Sequence, residues 1–149
     1  NFYWDAIECV VVTASQEGEQ GRGEGIPIFY RPETVEGLTA QIQAITPNIG
    51  SFADRKHLAE WLPSNGARCA LDAALWDLEA KVTHTPAWSL AGLSALHPIE
   101  TVDTIYLDTP QKMATRARTL SHLPIVKLKL GGDNDEDRLK AVRDVLDFF

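Results

Sequence analysis

From Ile99 to the end of the chain, four segments alternate in period. An apolar, β-branched run covers Ile99 to Leu107, a helical pattern Pro110 to Leu120, a second apolar run Pro124 to Leu130, and a second helical pattern Asp135 to Phe148. No other feature limits the fold as much. Two strands separated by a helix join one sheet naturally as a parallel pair with the helix crossing over, and a parallel sheet must be covered on its faces. The residues before Ile99 follow another plan. Ala6 to Ala14 reads as a strand, Ser15 to Glu19 as a polar turn and Gln20 to Gly25 as a returning strand, which predicts a hairpin. Helices follow: one opened by Thr34 or Glu33 and ended near Ile45 by Pro47, and one from about Ala53 to Trp61 closed by Pro63. The strongest is capped by Asn65 or Ser64 and runs to Lys81, because Ala67, Ala70, Leu71, Ala74, Leu75 and Leu78 build one apolar stripe. After a short segment from Ala87 to Leu90, Leu96-His97-Pro98 reads as a linker, so residues 1–97 and 98–149 are expected to be separate units.

Charge narrows what such a chain can bind. The net charge of −7 comes with scattered Lys and Arg, which argues against a nucleic-acid surface and leaves a small molecule as the expected partner. No uncharged apolar run approaches a membrane span. Cys9 and Cys69, each within an apolar stretch, read as two buried thiols in a reducing compartment. Asn1 to Asp5 lacks the basic segment and apolar core of a secretory signal, so a cytoplasmic location is the expectation.

Lys127 and Lys129 stand two apart in IVKLKLGG and would share one face of a strand. They would line a solvated face in the plainest reading. On a parallel strand covered from both sides, however, two lysines are costly unless that face lines a functional cavity. Adjacent ammonium groups also disfavour each other's protonation, so one could stay neutral near pH 7 and serve as a base. Other candidates are weaker. Gly21, Gly23 and Gly25 mimic a phosphate loop only in their glycines and belong to a strand and turn. Asp133, Asp135 and Asp137 imitate a calcium loop, but Arg138 stands where glycine is needed, so they are read as acidic residues opening a helix. His57, His84, His97 and His122 share no ligand spacing, and Ser64, Ser89 and Ser121 lie in no nucleophile motif.

GRGEGIP (Gly21 to Pro27), PETVEGL (Pro32 to Leu38), ARCALDAALWDLEAK (Ala67 to Lys81), TIYLDTPQKMA (Thr104 to Ala114) and KLKLGGDNDEDRLKAVR (Lys127 to Arg143) together resemble dipeptide epimerases of the enolase superfamily, in the muconate-lactonizing-enzyme-like subgroup. The resemblance implies an α+β capping domain without its first strand over residues 1–97, followed by the first βα units of a (β/α)7β barrel over 98–149. It implies 1,1-proton transfer: a base removes the proton α to the carboxylate of an amino acid or dipeptide, Mg²⁺ holds the enolate, and a proton returns on the opposite face. Lys129, matching the second lysine of the family's KxK, would be one acid/base catalyst. Lys127 would lower its pKa, and Thr104 would touch the substrate.

In the family the three carboxylate ligands of Mg²⁺ and the opposing lysine come from later strands, so no metal site is expected in this chain alone. Two functional expectations follow. One is a piece of a Mg²⁺-dependent epimerase that needs the rest of its barrel. The other is a truncated or engineered fragment that folds without catalysing proton transfer. In either case the exposed strand edges predict a homo-oligomer or pairing with a complementing chain.

Overall fold

The computed structural model describes residues 5–146. Two compact units divide between Leu96 and His97.

The first unit is α+β. β1 (Val10–Gln16) and β2 (Glu19–Gly25) form an antiparallel hairpin in which Val10 pairs with Gly25 and Gln16 with Glu19. Its turn is only Glu17-Gly18, with φ of 53° and 84°, the left-handed pair that a two-residue hairpin needs. The strands therefore run further into the turn than the polarity of Ser15 and Gln16 suggests. α1 (Val35–Ile45) is capped by Thr34, whose hydroxyl accepts the Gly37 N–H at 3.0 Å. The segment expected as a helix from Ala53 begins instead as a 3-10 turn, Phe52–His57, and becomes α-helical only over α2 (Leu58–Trp61). At its start Asp54 and Ser51 form a reciprocal capping box, and the Asp54 carboxylate also takes the Gly50 N–H. α3 (Gly66–Val82) is the central element, capped by Asn65.

β2 lies directly on α3. Gly21, Gly23 and Gly25 alternate onto one strand face and are buried there. A Cβ at Gly21 would collide with the Ala74 carbonyl and Leu78 N–H, and one at Gly23 with the Ala70 carbonyl and Ala74 N–H. The GxGxG pattern thus has a packing purpose, close approach of strand and helix backbones. Asp77 of α3 fastens the same contact: its Oδ2 accepts the Arg22 N–H at 2.8 Å and the Lys81 ammonium at 2.7 Å, while Lys81 also donates to the Gln20 carbonyl at 2.7 Å. The other side of α3 joins β1, α1 and α2 in a core of Val10, Leu38, Ile45, Leu58, Leu62, Ala67, Leu71 and Leu75. On a third side Arg55 lies over the Trp76 ring, 3.5 Å from its centroid, and donates from Nε to Glu79 at 2.8 Å.

Neither cysteine is buried as expected. Cys69 is exposed and Cys9 only partly covered. Cys69 falls on α3 off the stripe of Ala67, Ala70 and Leu71, and Cys9 precedes the paired part of β1. An apolar neighbourhood in sequence does not decide which face a residue occupies. After α3 comes α4 (Ala87–Leu90).

The second unit runs β3 (Asp103–Ile105), α5 (Pro110–Thr119), β4 (Val126–Leu128) and α6 (Asp135–Arg143). The two strands are parallel, and both are shorter than their apolar runs. Ladder pairing, which defines a strand, requires a partner along its whole length, and Ile99 is 90% exposed. α5 and α6 cover one face of the pair with Ile105, Met113, Ala117, Leu120, Val142 and Leu146. Of the expected last helix, the end toward Phe148 lies outside the described residues.

Candidate active site

In the parallel ladder Asp103 pairs with Val126, Thr104 with Lys127, and Ile105 with Leu128. Paired residues of a parallel sheet point to the same face, and successive residues alternate. Ile105, Val126 and Leu128 face the helices, and Asp103 at that end binds Arg116 of α5 at 2.8 Å. Thr104 and Lys127 therefore stand side by side on the opposite face. The Lys129 N–H donates to the Ile105 carbonyl at 2.9 Å, which completes the Ile105–Leu128 step of the ladder and ties the residue after β4 to β3.

The ladder gives this face one row, Thr104 with Lys127. Along the chain in both strands the flanking exposed residues change from apolar, Val102 and Ile125, to polar, Tyr106 and Lys129. Lys127 and Lys129 are exposed, Thr104 is half-buried, and Tyr106 is 72% exposed. Of the three residues singled out in the sequence, Thr104 and Lys127 are paired across the ladder, and Lys129 follows the end of β4.

The nearby carboxylates are engaged elsewhere. Asp108 accepts the Thr109 N–H at 2.7 Å, and this bond, with help from Lys112, holds its carboxyl below the usual carboxylate range. Asp135 accepts the N–H groups of Gly131 and Gly132, at 2.9 and 3.2 Å, and pairs with Arg138 at 2.9 Å. Desolvation works to raise its pKa, but these bonds outweigh it and the net direction is down. Asp135 thus secures the glycine loop in front of α6. Among the described residues no group of three His, Cys, Asp or Glu side chains could hold a metal ion. His57 stacks on Trp61 and lies 3.5 Å from Glu60, while His84, His97 and His122 are exposed on separate segments. The Ser121 hydroxyl donates to the Arg118 carbonyl, and the Ser64 carbonyl accepts from Arg31.

Residues 5–92 match the family described as mandelate racemase / muconate lactonizing enzyme, N-terminal domain. The L-Ala-D/L-Glu epimerase of Escherichia coli K12 is 34% identical over 136 residues, which are 90% of this chain and 42% of that protein. A solved enolase-family member from Agrobacterium tumefaciens, with homology to dipeptide epimerases and holding sodium and L-Ala-L-Glu, superposes with a TM-score of 0.80. It is 35% identical, covering 93% of this chain and 43% of its own. The dipeptide epimerase of Enterococcus faecalis V583 in complex with Mg and L-Leu-L-Tyr also superposes with a TM-score of 0.80, at 25% identity, covering 95% of this chain and 44% of its own. The chain spans less than half the length of these relatives.

Proposed function

Since the chain belongs to the family of the mandelate racemase / muconate lactonizing enzyme N-terminal domain, in the enolase superfamily, we propose that it is the N-terminal part of a dipeptide or amino-acid epimerase and contributes one of the two acid/base groups of a 1,1-proton transfer. The observation that carries this reading is the row of Thr104 and Lys127 followed by Lys129 on the strand face turned away from α5 and α6. β3 and β4 are then the first strands of a β/α barrel, and their open face lines its lumen. Catalytic groups of such barrels stand at the C-terminal ends of the strands, the direction in which this face becomes polar.

Lys129 in its neutral form takes the proton from the carbon α to the substrate carboxylate. The C–H electron pair moves into the carboxylate as an enolate, and Nζ becomes ammonium. A group on the opposite face then delivers a proton, which inverts the centre, and Lys129 serves as the acid in the reverse direction. Lys127, beside Thr104, attracts the anionic substrate. The Thr104 hydroxyl donates a hydrogen bond to the substrate. The substrates held by the solved relatives, L-Ala-L-Glu and L-Leu-L-Tyr, point to dipeptides as the class to test first.

A second reading is a non-catalytic fold that self-associates, and the exposed Val102 and Ile125 on the open face favour it for this chain in isolation. The experiment is to incubate L-Ala-L-Glu in D₂O with the chain carried on the full length of its relatives and to follow the α-protons by NMR. Deuterium entering at one α-carbon, with the epimer appearing, is expected. No exchange with any dipeptide or N-acyl amino acid would overturn the proposal.

A further inference from the structure

Resting on that reading, we propose that Arg138 is a positioning residue: its guanidinium ties the loop after β3 to the loop after β4 and so fixes the backbone that carries Lys129. The two strands are parallel, so both loops leave the sheet at the same end. Arg138 stands near the start of α6 and holds them together there. Its Nε donates to the Asp108 carbonyl at 2.8 Å, in the loop after β3. Its Nη1 donates to the Asp133 carbonyl at 2.6 Å and to the Asp135 carboxylate at 2.9 Å, beyond β4. The same carboxylate accepts the Gly131 N–H at 2.9 Å and the Gly132 N–H at 3.2 Å. One planar fork thus serves both loops, which the single point of a lysine ammonium would not.

Lys129 lies between two fixed points. Its own N–H is bonded to the Ile105 carbonyl, and two residues on the Gly131 N–H is bonded to Asp135. Burial does little for this stretch, because Lys129, Leu130, Gly131 and Gly132 are all exposed. Hydrogen bonds are therefore what holds it. The Arg138 side chain is itself only 17% exposed, so its bonds are poorly screened by solvent and salt. A lysine stem has large rotamer freedom, and a base must be held in reach of the proton it removes. Fixing the Lys129 backbone is the first condition for that reach. The partners of Arg138 are two backbone carbonyls and Asp135, so its effect on the reaction passes through Lys129.

The clamp can be read on the chain itself, without activity, by amide hydrogen exchange followed by NMR. In Arg138→Gln the N–H groups of Lys129, Gly131 and Gly132 should exchange at least about fivefold faster, the scale of one hydrogen bond. Those of Leu120 and Leu123, bonded to the Ala117 and Leu120 carbonyls, should keep their rates. The positioning role is read as α-proton exchange in D₂O from L-Ala-L-Glu and L-Ala-D-Glu separately, with the chain carried on the full length of its relatives. For the substrate that depends on Lys129, Arg138→Gln should lower kcat at least about tenfold with KM unchanged, since small misplacements of a reacting group are costly. Exchange from the other substrate should be retained. Asp135→Ala, which frees the glycine N–H groups but leaves Arg138 its two carbonyls, should act in the same way and serves if Arg138→Gln does not fold. Unchanged amide rates overturn the proposal, as does an equal loss on both substrates, the mark of a general structural role. Parallel acceleration at Leu120 and Leu123 also counts against it. The underlying reading fails separately. If exchange survives Lys129→Ala, the positioning role falls with that reading, whatever the amide rates do. If exchange is lost in Lys129→Ala and unaffected in Arg138→Gln, only the assignment of Arg138 is wrong.

Discussion

At Gly23 the backbone of β2 comes so close to α3 that a single methyl group has nowhere to go, since the blocking atoms are the Ala70 carbonyl and the Ala74 N–H and not a side chain that could turn. Gly23→Ala is expected to cost about 3 kcal/mol or more, the upper range for overpacking, measured as a lower urea midpoint. Gly18, with open space around it, makes a useful contrast: there the penalty arises from its φ of 84° and not from contact. Asp77 adds a pH-dependent element to the same contact. The Lys81 ammonium, followed by the Arg22 N–H, holds its carboxyl below the usual range. A carboxyl with a depressed folded pKa stabilises the fold above its unfolded pKa of about 3.9, and that contribution fades as pH falls through the folded value. Because the side chain is partly solvated, Asp77→Asn should cost only about 1 kcal/mol at pH 7. The difference from the parent protein should shrink below pH 4. A penalty that persists undiminished at pH 2 would mean that packing, not charge, is what Asp77 contributes.

Among the elements, α3 was the most legible in the sequence, because its apolar stripe and Asn65 cap are both local signals. The hairpin and the order of β3, α5, β4 and α6 were legible for the same reason, whereas strand lengths were not, because they depend on partners. Cys69 shows the limit from another side: its apolar neighbours belong to the stripe, and it does not. The site was legible only in part. Lys127 and Lys129 could be put on one face by spacing, but the pairing of Lys127 with Thr104 rests on register, which is a tertiary property. The β3–β4 pair is a two-stranded sheet, so its outer edges carry backbone groups that further strands could pair with. Beside those edges Val102 and Ile125 are exposed on the open face. We expect this chain to self-associate at about 100 μM, a concentration well above ordinary dimer dissociation constants, when followed by light scattering. Ile125→Lys should shift it toward the monomer, because the substitution adds a third lysine to the face. A parent chain that is already monomeric at that concentration would contradict the expectation.

For the molecule as a whole, the α+β unit matches its family while the catalytic candidates lie on the βαβα unit that follows. Its longer relatives include epimerases of dipeptides. On the proposed reading the chain supplies one acid/base face of a two-faced reaction. Such a reaction is asymmetric by construction: a base on one face removes the α-proton of one enantiomer only, and loss of that base should silence its own enantiomer while sparing exchange from the other. The most direct measurement is thus α-proton exchange in D₂O from L-Ala-L-Glu and L-Ala-D-Glu separately, with the Lys129→Ala variant carried on the full length of its relatives. The predicted result is loss of exchange by at least about 100-fold for one of the two substrates, the usual scale for a positioned acid or base, with exchange from the other retained. Equal rates with and without Lys129 on both substrates would contradict it.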